Sequence, residues 1–423
     1  MTLGDFTNDG QPELAVLGAF NHVGLMPLAP DGSLGPVKPR ILLGSQQPSV
    51  RRILNADFDR DGNLDVVWIG NSNGASNLIV AYGNGAGQFT NPVVIPPHLA
   101  TSFANMVVAD FNSDGFPDVA AYTGTSSAPV AIDIYLSTGG ARTFTLLSSA
   151  GGSSLGNFVT GDAVAMVAAD FDQDGVLDLV SSQGFFLANQ PEPQQSLFLR
   201  GNGDGTFQPA VVNASGIVGG LVDYAVGDVN HDDKLDLISI GQYSSVHVQL
   251  GNGDGTFQAP VLYNTNLVGA YGQVVLADFD WDGHLDIALT LTGITNGANG
   301  LAVLRGNGDG TFAARQRVAD GIYSRSSALL VSDVNNDGRP DLIAGGSNFT
   351  AQDFTVLLNN SATLGACTFR DSFTYAASDG SLDSPPVTVR ITIQPVNHPP
   401  VITSAPVTSA NTGQLSRNCQ KIT

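Results

Sequence analysis

A nine-residue phrase, Asp-(Phe/Val)-x-x-Asp-Gly-x-x-Asp with few departures, begins at Asp5, Asp57, Asp110, Asp170, Asp228, Asp278 and Asp333. The starts lie 50 to 60 residues apart. Self-similarity on that scale identifies an array of one supersecondary unit. It overrides the two or three ordinary domains that 423 residues would otherwise suggest, because seven linked units can make one large domain.

One unit can be read from residues to strands. In the fifth, an apolar β-prone run at Leu221–Val229 leads into the phrase, and Leu237–Ile240 follows it as a second strand. Ser245–Leu250 alternates with apolar residues two apart, as a half-buried strand should. The segment Gly251-Asn252-Gly253-Asp254-Gly255-Thr256-Phe257 is then a hairpin signal, since Asn-Gly and Asp-Gly turns need positive φ. Pro260–Tyr263 completes four strands. The sixth unit repeats the plan, so four short antiparallel strands recur in about 50 residues, the layout of a β-propeller blade. The expected fold is all-β: seven four-stranded blades around an axis. A ring also removes the open ends that a solenoid would have to cap. Unit 1 has only Met1–Gly4 before its phrase, so its first strand reads as nearly missing, and either the ring is imperfectly closed or the sequence is a piece of a longer protein. Unit 7 lacks the Gly-x-Phe hairpin.

The phrases also carry the chemistry. They hold 25 of the 38 acidic residues and so account for most of a formal charge of −21. Positions 1, 3, 5 and 9 offer side-chain oxygens, position 7 a backbone carbonyl, and the glycine at position 6 permits a sharp turn. That is the logic of an oxygen-lined Ca²⁺ loop, and a donor set without Cys thiolate or His nitrogen disfavours softer ions. The candidate ligands are Asp57, Asp59, Asp61, Asn63 and Asp65 in loop 2, and Asp110, Asn112, Asp114, Phe116 and Asp118 in loop 3. Loop 4 offers Asp170, Asp172, Asp174, Val176 and Asp178, and loop 5 Asp228, Asn230, Asp232, Lys234 and Asp236. Loop 6 offers Asp278, Asp280, Asp282, His284 and Asp286, and loop 7 Asp333, Asn335, Asp337, Arg339 and Asp341. Asn63, Phe116, Val176, Lys234, His284 and Arg339 stand at position 7 and contribute only a carbonyl. Loop 5 is weakened by Asp233 in place of glycine. Loop 1, with Asp5, Asp9 and Glu13 but Thr7 at position 3, is the least regular. The competing reading is a set of solvated acidic turns holding no ion.

The units resemble the FG-GAP/VCBS repeats of integrin α-subunit propellers and bacterial surface proteins. The resemblance rests on Ala56–Val67 and on the Leu-x-Gly-Asn-Gly-Asp-Gly-Thr-Phe segments ending at Phe207, Phe257 and Phe312. It implies several structural Ca²⁺ ions on one face and a protein or glycan ligand on the opposite face. There the connections 149–162 and 183–194, with Phe185 and Phe186, and residues Asn296, Tyr323 and Arg325 are candidate contacts. The propeller is expected over 1–362. Residues 363–400 resemble part of a cadherin-like or Ig-like module, with Phe373–Ala376 and Val387–Ile393 expected to pair outside the ring, and 401–423 read as a disordered tail.

Weaker signals are read against their bland alternatives. Gly152-Ser153-Ser154-Leu155-Gly156 matches a nucleophile elbow but lacks the strand and helix that motif needs. The Gly-Asn-Gly-Asp-Gly runs lack the Lys and helix of a phosphate loop. The six histidines are scattered through several units with no pair at ligand spacing. Trp68 is expected between blades and Trp281 pointing outward. Cys367 and Cys419 form at most one disulfide. Neither a signal peptide nor an apolar run of membrane-spanning length is visible, and the acidity argues against nucleic acid. The functional expectation is a non-enzymatic, extracellular or cell-surface propeller serving adhesion or partner binding. The alternatives are a lectin-like carbohydrate binder, or a module of a polysaccharide-degrading enzyme.

Overall fold

The computed structural model describes residues 1–18, 22–36, 38–42, 52–72, 75–90, 92–96, 102–125, 128–150, 165–182, 193–218, 221–241, 245–264, 272–291, 300–320, 328–348, 351–359, 369–375 and 387–393. Among them, six sheets have four antiparallel strands in sequence order and a seventh, from unit 7, has three. Blade 2 is representative: Ile53–Ala56, Asp65–Ser72, Ala75–Ala81 and Val93–Ile95. The first strands, Thr2–Gly4, Ile53–Ala56, Ser102–Ala109, Met166–Ala169, Leu221–Gly227, Val274–Ala277 and Ala328–Ser332, touch in succession from blade 1 to blade 7 and so line the axis.

The register explains where the phrases sit. Position 9 opens the second strand and pairs with the residue just before position 1: Gly4 with Glu13, Ala56 with Asp65, Ala109 with Asp118, Ala169 with Asp178, Gly227 with Asp236, Ala277 with Asp286 and Ser332 with Asp341. Each loop is thus clamped at its mouth by a strand ladder. Small residues are needed at the inner side of that pair. A Cβ on Gly4 would lie 2.4 Å from Leu64 Cδ1 of the next blade.

Seven apolar clusters fill the seven gaps between neighbouring blades. Trp68 is fully buried in the one between blades 1 and 2, with Phe6 and Ile53, as expected. The gap between blades 7 and 1 corrects the expectation of an imperfect ring. Thr2–Gly4, though only three residues long, pairs with Glu13–Gly18. Leu14, Val16, Met26 and Leu28 then pack on Val334 and Ile343. At roughly 1.5–3 kcal/mol per buried side chain, this seam contributes on the order of 10 kcal/mol before opposing entropy. Closure therefore rests on side chains and not on the length of the first strand.

The strand segments Phe369–Tyr375 and Val387–Ile393 pair with each other and, among the described residues, with no blade. Among the described residues no helix is long and apolar enough to cross a membrane. The elbow-like Gly152–Gly156, the connections 149–162 and 183–194, residues Asn296, Tyr323 and Arg325, and both cysteines fall wholly or mainly outside the described residues.

Candidate metal centres

The loops and the Gly-Asn-Gly hairpins lie on one face, because a buried carboxylate joins them. Asp65 Oδ2 accepts the N–H of Phe58 at 2.8 Å, and its Oδ1 accepts the N–H of Gly83 at 2.8 Å. Asp118, Asp178, Asp236, Asp286 and Asp341 repeat this double acceptance from position 2 and from Ser137, Gly201, Gly251, Gly306 and Asn359. The hairpin residue is glycine in four blades because a Cβ would lie 2.2–2.3 Å from the position-8 carbonyl oxygen. These six position-9 aspartates are at most 1% exposed, so none of them can present its carboxylate to a partner. Burial, opposed by those N–H groups, pushes Asp65 and Asp118 up to about 7. It raises Asp178, Asp236 and Asp286 to about 6. Glu13 differs: Oε2 takes the Phe6 N–H at 2.9 Å and Oε1 the Thr7 hydroxyl at 2.8 Å.

The remaining positions wrap a turn. In loop 2, Asp57 accepts from the N–H groups of Asp61 and Gly62 at 3.1 and 2.9 Å, and Asp61 accepts from Asn63 N–H at 2.9 Å. Asn112, Asn230 and Asn335 at position 3 accept the position-5 N–H just as Asp59 does. Two residues per loop are left-handed. Position 6 has φ of +84 to +91° where it is glycine and +62° at Asp233, which keeps its N–H bond to Asp228. Position 4 is left-handed too, at Asn8, Arg60, Ser113, Gln173, His231, Trp281 and Asn336. Only the two asparagines gave a sequence signal for it, through their tolerance of that conformation.

Because position 4 is turned outward by this backbone, its side chain reaches the next loop. Asn8 donates to Asn63 at 2.8 Å, Arg60 lies 4.9 Å from the Phe116 ring centroid, His231 meets His284, and Arg339 lies 5.8 Å from the Trp281 ring. In each case a position 4 meets the following position 7. Trp281 thus packs on its neighbour's arginine and does not project freely. The two histidines, 53 residues apart, correct the expectation that no imidazoles come together. One repeat separates them in sequence, and the ring makes that separation a contact.

Three loops gather three carboxylates with ligand oxygens within 4.8 Å of one another: Asp57, Asp59 and Asp61; Asp170, Asp172 and Asp178; Asp278, Asp280 and Asp282. These belong to the loops with four acidic residues at the ligand positions. Each also has an arginine that sequence reasoning missed. Arg142, from a turn in blade 3, binds Asp59 Oδ2 at 2.6 Å and Asp61 Oδ2 at 3.5 Å. Arg200 pairs with Asp172 and Asp174, and Arg305 with Asp280 at 2.9 Å. Lys234 lies 3.6 Å from Asp232 in loop 5. One oxygen stays unmatched: Asp280 Oδ1 is buried without a hydrogen-bond partner. Clustered carboxylates, an orphaned buried oxygen and a hard donor set fit a divalent cation. Asp57, Asp59, Asp61, Asp65 and the Asn63 carbonyl would hold it in loop 2, with the corresponding residues in loops 4 and 6.

Known proteins place this architecture. A lectin of Agrocybe aegerita that recognises non-reducing terminal N-acetylglucosamine is 22% identical, with a TM-score of 0.57 over 83% of this chain and 88% of its own. The BP39L lectin of Burkholderia pseudomallei is 14% identical, with a TM-score of 0.60 over 86% and 96%. The exotype rhamnogalacturonan lyase YesX reaches a TM-score of 0.44 at 14% identity over 88% and 73%, a likeness too loose to bear on chemistry. No curated protein matches the sequence. Matches to an FG-GAP-like repeat at residues 5–68, 57–121, 228–289 and 291–344 cover more than half of the sequence, and the chain belongs to this repeat family.

Proposed function

We propose that this propeller is a non-enzymatic binding scaffold whose acidic loops take Ca²⁺ as structural ions. The observation that carries the reading is loop 6, where three carboxylates converge and Asp280 Oδ1 is buried without a partner. A bound ion supplies positive charge to oxygens that the backbone leaves unsatisfied, and it does so only in the folded ring. The chain's own groups do the rest. In loops 2 to 7 position 9 staples the loop to the turn after the third strand, position 6 turns the chain, and the arginines offset charge on positions 3 and 5. The acidic residues are invested in this architecture, with 25 of 38 inside the phrases, which supports a binding role over a catalytic one. Abundant Ca²⁺ outside the cell fits an extracellular or cell-surface setting for adhesion or partner binding, on the face opposite the loops.

A second reading, carbohydrate binding, is favoured by the likeness to two lectins over more than four-fifths of the chain. A glycan array run with Ca²⁺ and with chelator separates the two. Selective sugar binding supports the lectin reading. Absence of sugar binding, with chelator-sensitive binding to a protein surface, supports adhesion. Turnover of polyuronides would overturn both. Calcium as a structural ion is tested by thermal melting, where an unchanged melting temperature on chelation would refute it.

A further inference from the structure

His231 and His284 are the one position-4/position-7 couple of two imidazoles among the couples described. His231 Nε2 and His284 Nδ1 lie 2.8 Å apart, with ring centroids 5.0 Å apart. Both backbones are fixed. His231 is one of the two left-handed residues of loop 5, at φ +61°. The His284 ring lies so close to the loop 6 hairpin that a Cβ on Gly308 would come within 2.3 Å of its Nδ1. The Asp309 carboxylate, held acidic chiefly by the Thr311 hydroxyl and N–H, is near enough to feel His284 as well. The pair therefore sits at an exposed junction of two blades with negative charge beside it.

We propose that the imidazoles of His231 and His284, projecting from loops 5 and 6, clasp a divalent transition-metal ion between blades 5 and 6 through ring nitrogens and without the carboxylate ligands of those loops. Imidazole nitrogen suits Cu²⁺, Ni²⁺ and Zn²⁺, whereas Ca²⁺ prefers oxygen. The hydrogen-bonded spacing already brings the nitrogens near the separation that one shared ion requires. With metal–nitrogen bonds of about 2.0–2.1 Å, nitrogens 2.8 Å apart subtend an angle of about 90° at the ion. That is the cis angle of tetragonal or octahedral coordination, as Cu²⁺ and Ni²⁺ adopt, while a tetrahedral ion would need about 3.3 Å between the nitrogens. In the metal-free pair one ring donates N–H to the other. A turn about each χ2 aims both lone pairs at a common point, and the shared proton moves to the other nitrogen of its own ring. Water fills the remaining positions. The site stands whether or not the acidic loops hold Ca²⁺.

The test uses the full chain without a histidine tag, in excess Ca²⁺ so that acidic loops are saturated. Titration calorimetry with Cu²⁺ and Ni²⁺, and electron paramagnetic resonance of the Cu²⁺ form, should find one site with two nitrogen ligands. His231→Asn, chosen because Asn tolerates the left-handed backbone, and His284→Gln should each weaken binding by at least the roughly 10- to 100-fold that loss of an outer-shell partner costs. Each should leave one nitrogen in the spectrum, and the double variant none. An unchanged melting curve for each variant shows that the fold is kept. Equal Cu²⁺ affinity in the double variant, or displacement of Cu²⁺ by Ca²⁺, would overturn the assignment.

Discussion

Asp61 and Asp65 belong to one phrase, yet the structure gives them opposite jobs. Asp65 is fully buried and holds two backbone N–H groups, those of Phe58 and Gly83, each at 2.8 Å. Asp61 is exposed and accepts mainly from Asn63 within its own turn. Asp65→Ala leaves two buried donors without acceptors, each costing about 1–3 kcal/mol, so the variant should lose about 2–6 kcal/mol even in chelator. Asp61→Ala exposes its lost partner to water and should cost less than about 1 kcal/mol in chelator. In Ca²⁺ at about 100 times the dissociation constant, an occupied site contributes about 2.7 kcal/mol by linkage, and Asp61→Ala should forfeit much of that. Urea unfolding of both variants and the parent, in Ca²⁺ and in chelator, measures all four differences. The reasoning fails if Asp65→Ala is harmless in chelator, or if Asp61→Ala costs as much without Ca²⁺ as with it. Asp9→Ala should show a smaller calcium-specific loss than Asp61→Ala, because loop 1 has Thr7 and Glu13 where loop 2 has aspartates.

Other expectations follow from the same geometry. Burial raises the position-9 carboxyls to about 6–7 at Asp65, Asp118, Asp178, Asp236 and Asp286, so the folded ion-free protein binds more protons than the unfolded chain between about pH 4 and 7. Its stability from these groups is full below the unfolded carboxyl pKa and is lost as pH rises through 6–7, so chelated protein should melt higher at pH 5 than at pH 8. Ca²⁺ should reverse that slope in the same scan. Arg142→Gln removes a cation from Asp59 and Asp61, so calorimetry should show tighter Ca²⁺ binding at loop 2, with a stability change in chelator of about 1 kcal/mol or less. Deleting residues 366–423 should leave the calcium-dependent melting transition unchanged, since among the described residues Phe369–Tyr375 and Val387–Ile393 pair only with each other.

Blade count, strand order and the shared face of loops and hairpins were legible because one phrase fixes one blade, and Gly-Asn-Gly fixes one turn. The packing of Trp68 followed from its place in an apolar strand. What lay beyond the sequence depends on neighbours that only the closed ring supplies. Arg142 reaches Asp59 across 83 residues, from a turn with no motif. Position 4 is Asn in two loops and Arg, Ser, Gln, His or Trp in the other five, because its conformation comes from the wrapped loop. The meeting of His231 with His284 and of Trp281 with Arg339 is therefore invisible to spacing rules within one unit. The short first strand of blade 1 signals an incomplete blade in the sequence, whereas the Leu14–Ile343 seam that closes the ring joins opposite ends of the array and has no local signature.

The seam also sets the order in which the ring can be made. Among the described residues every sheet pairs strands adjacent in sequence, and no blade borrows a strand from the far end. Blade 1 can therefore form while later blades are still being synthesised, and each new blade docks on a finished surface. Closure comes last, as two preformed apolar walls meet, with Leu14, Val16, Met26 and Leu28 facing Val334 and Ile343. Partial opening should retrace that step. Native-state hydrogen exchange would then release the amides of Leu14 and Ile343 at lower denaturant than those of Ile132 and Leu179. Simultaneous release of all four would show instead that the ring opens as one cooperative unit.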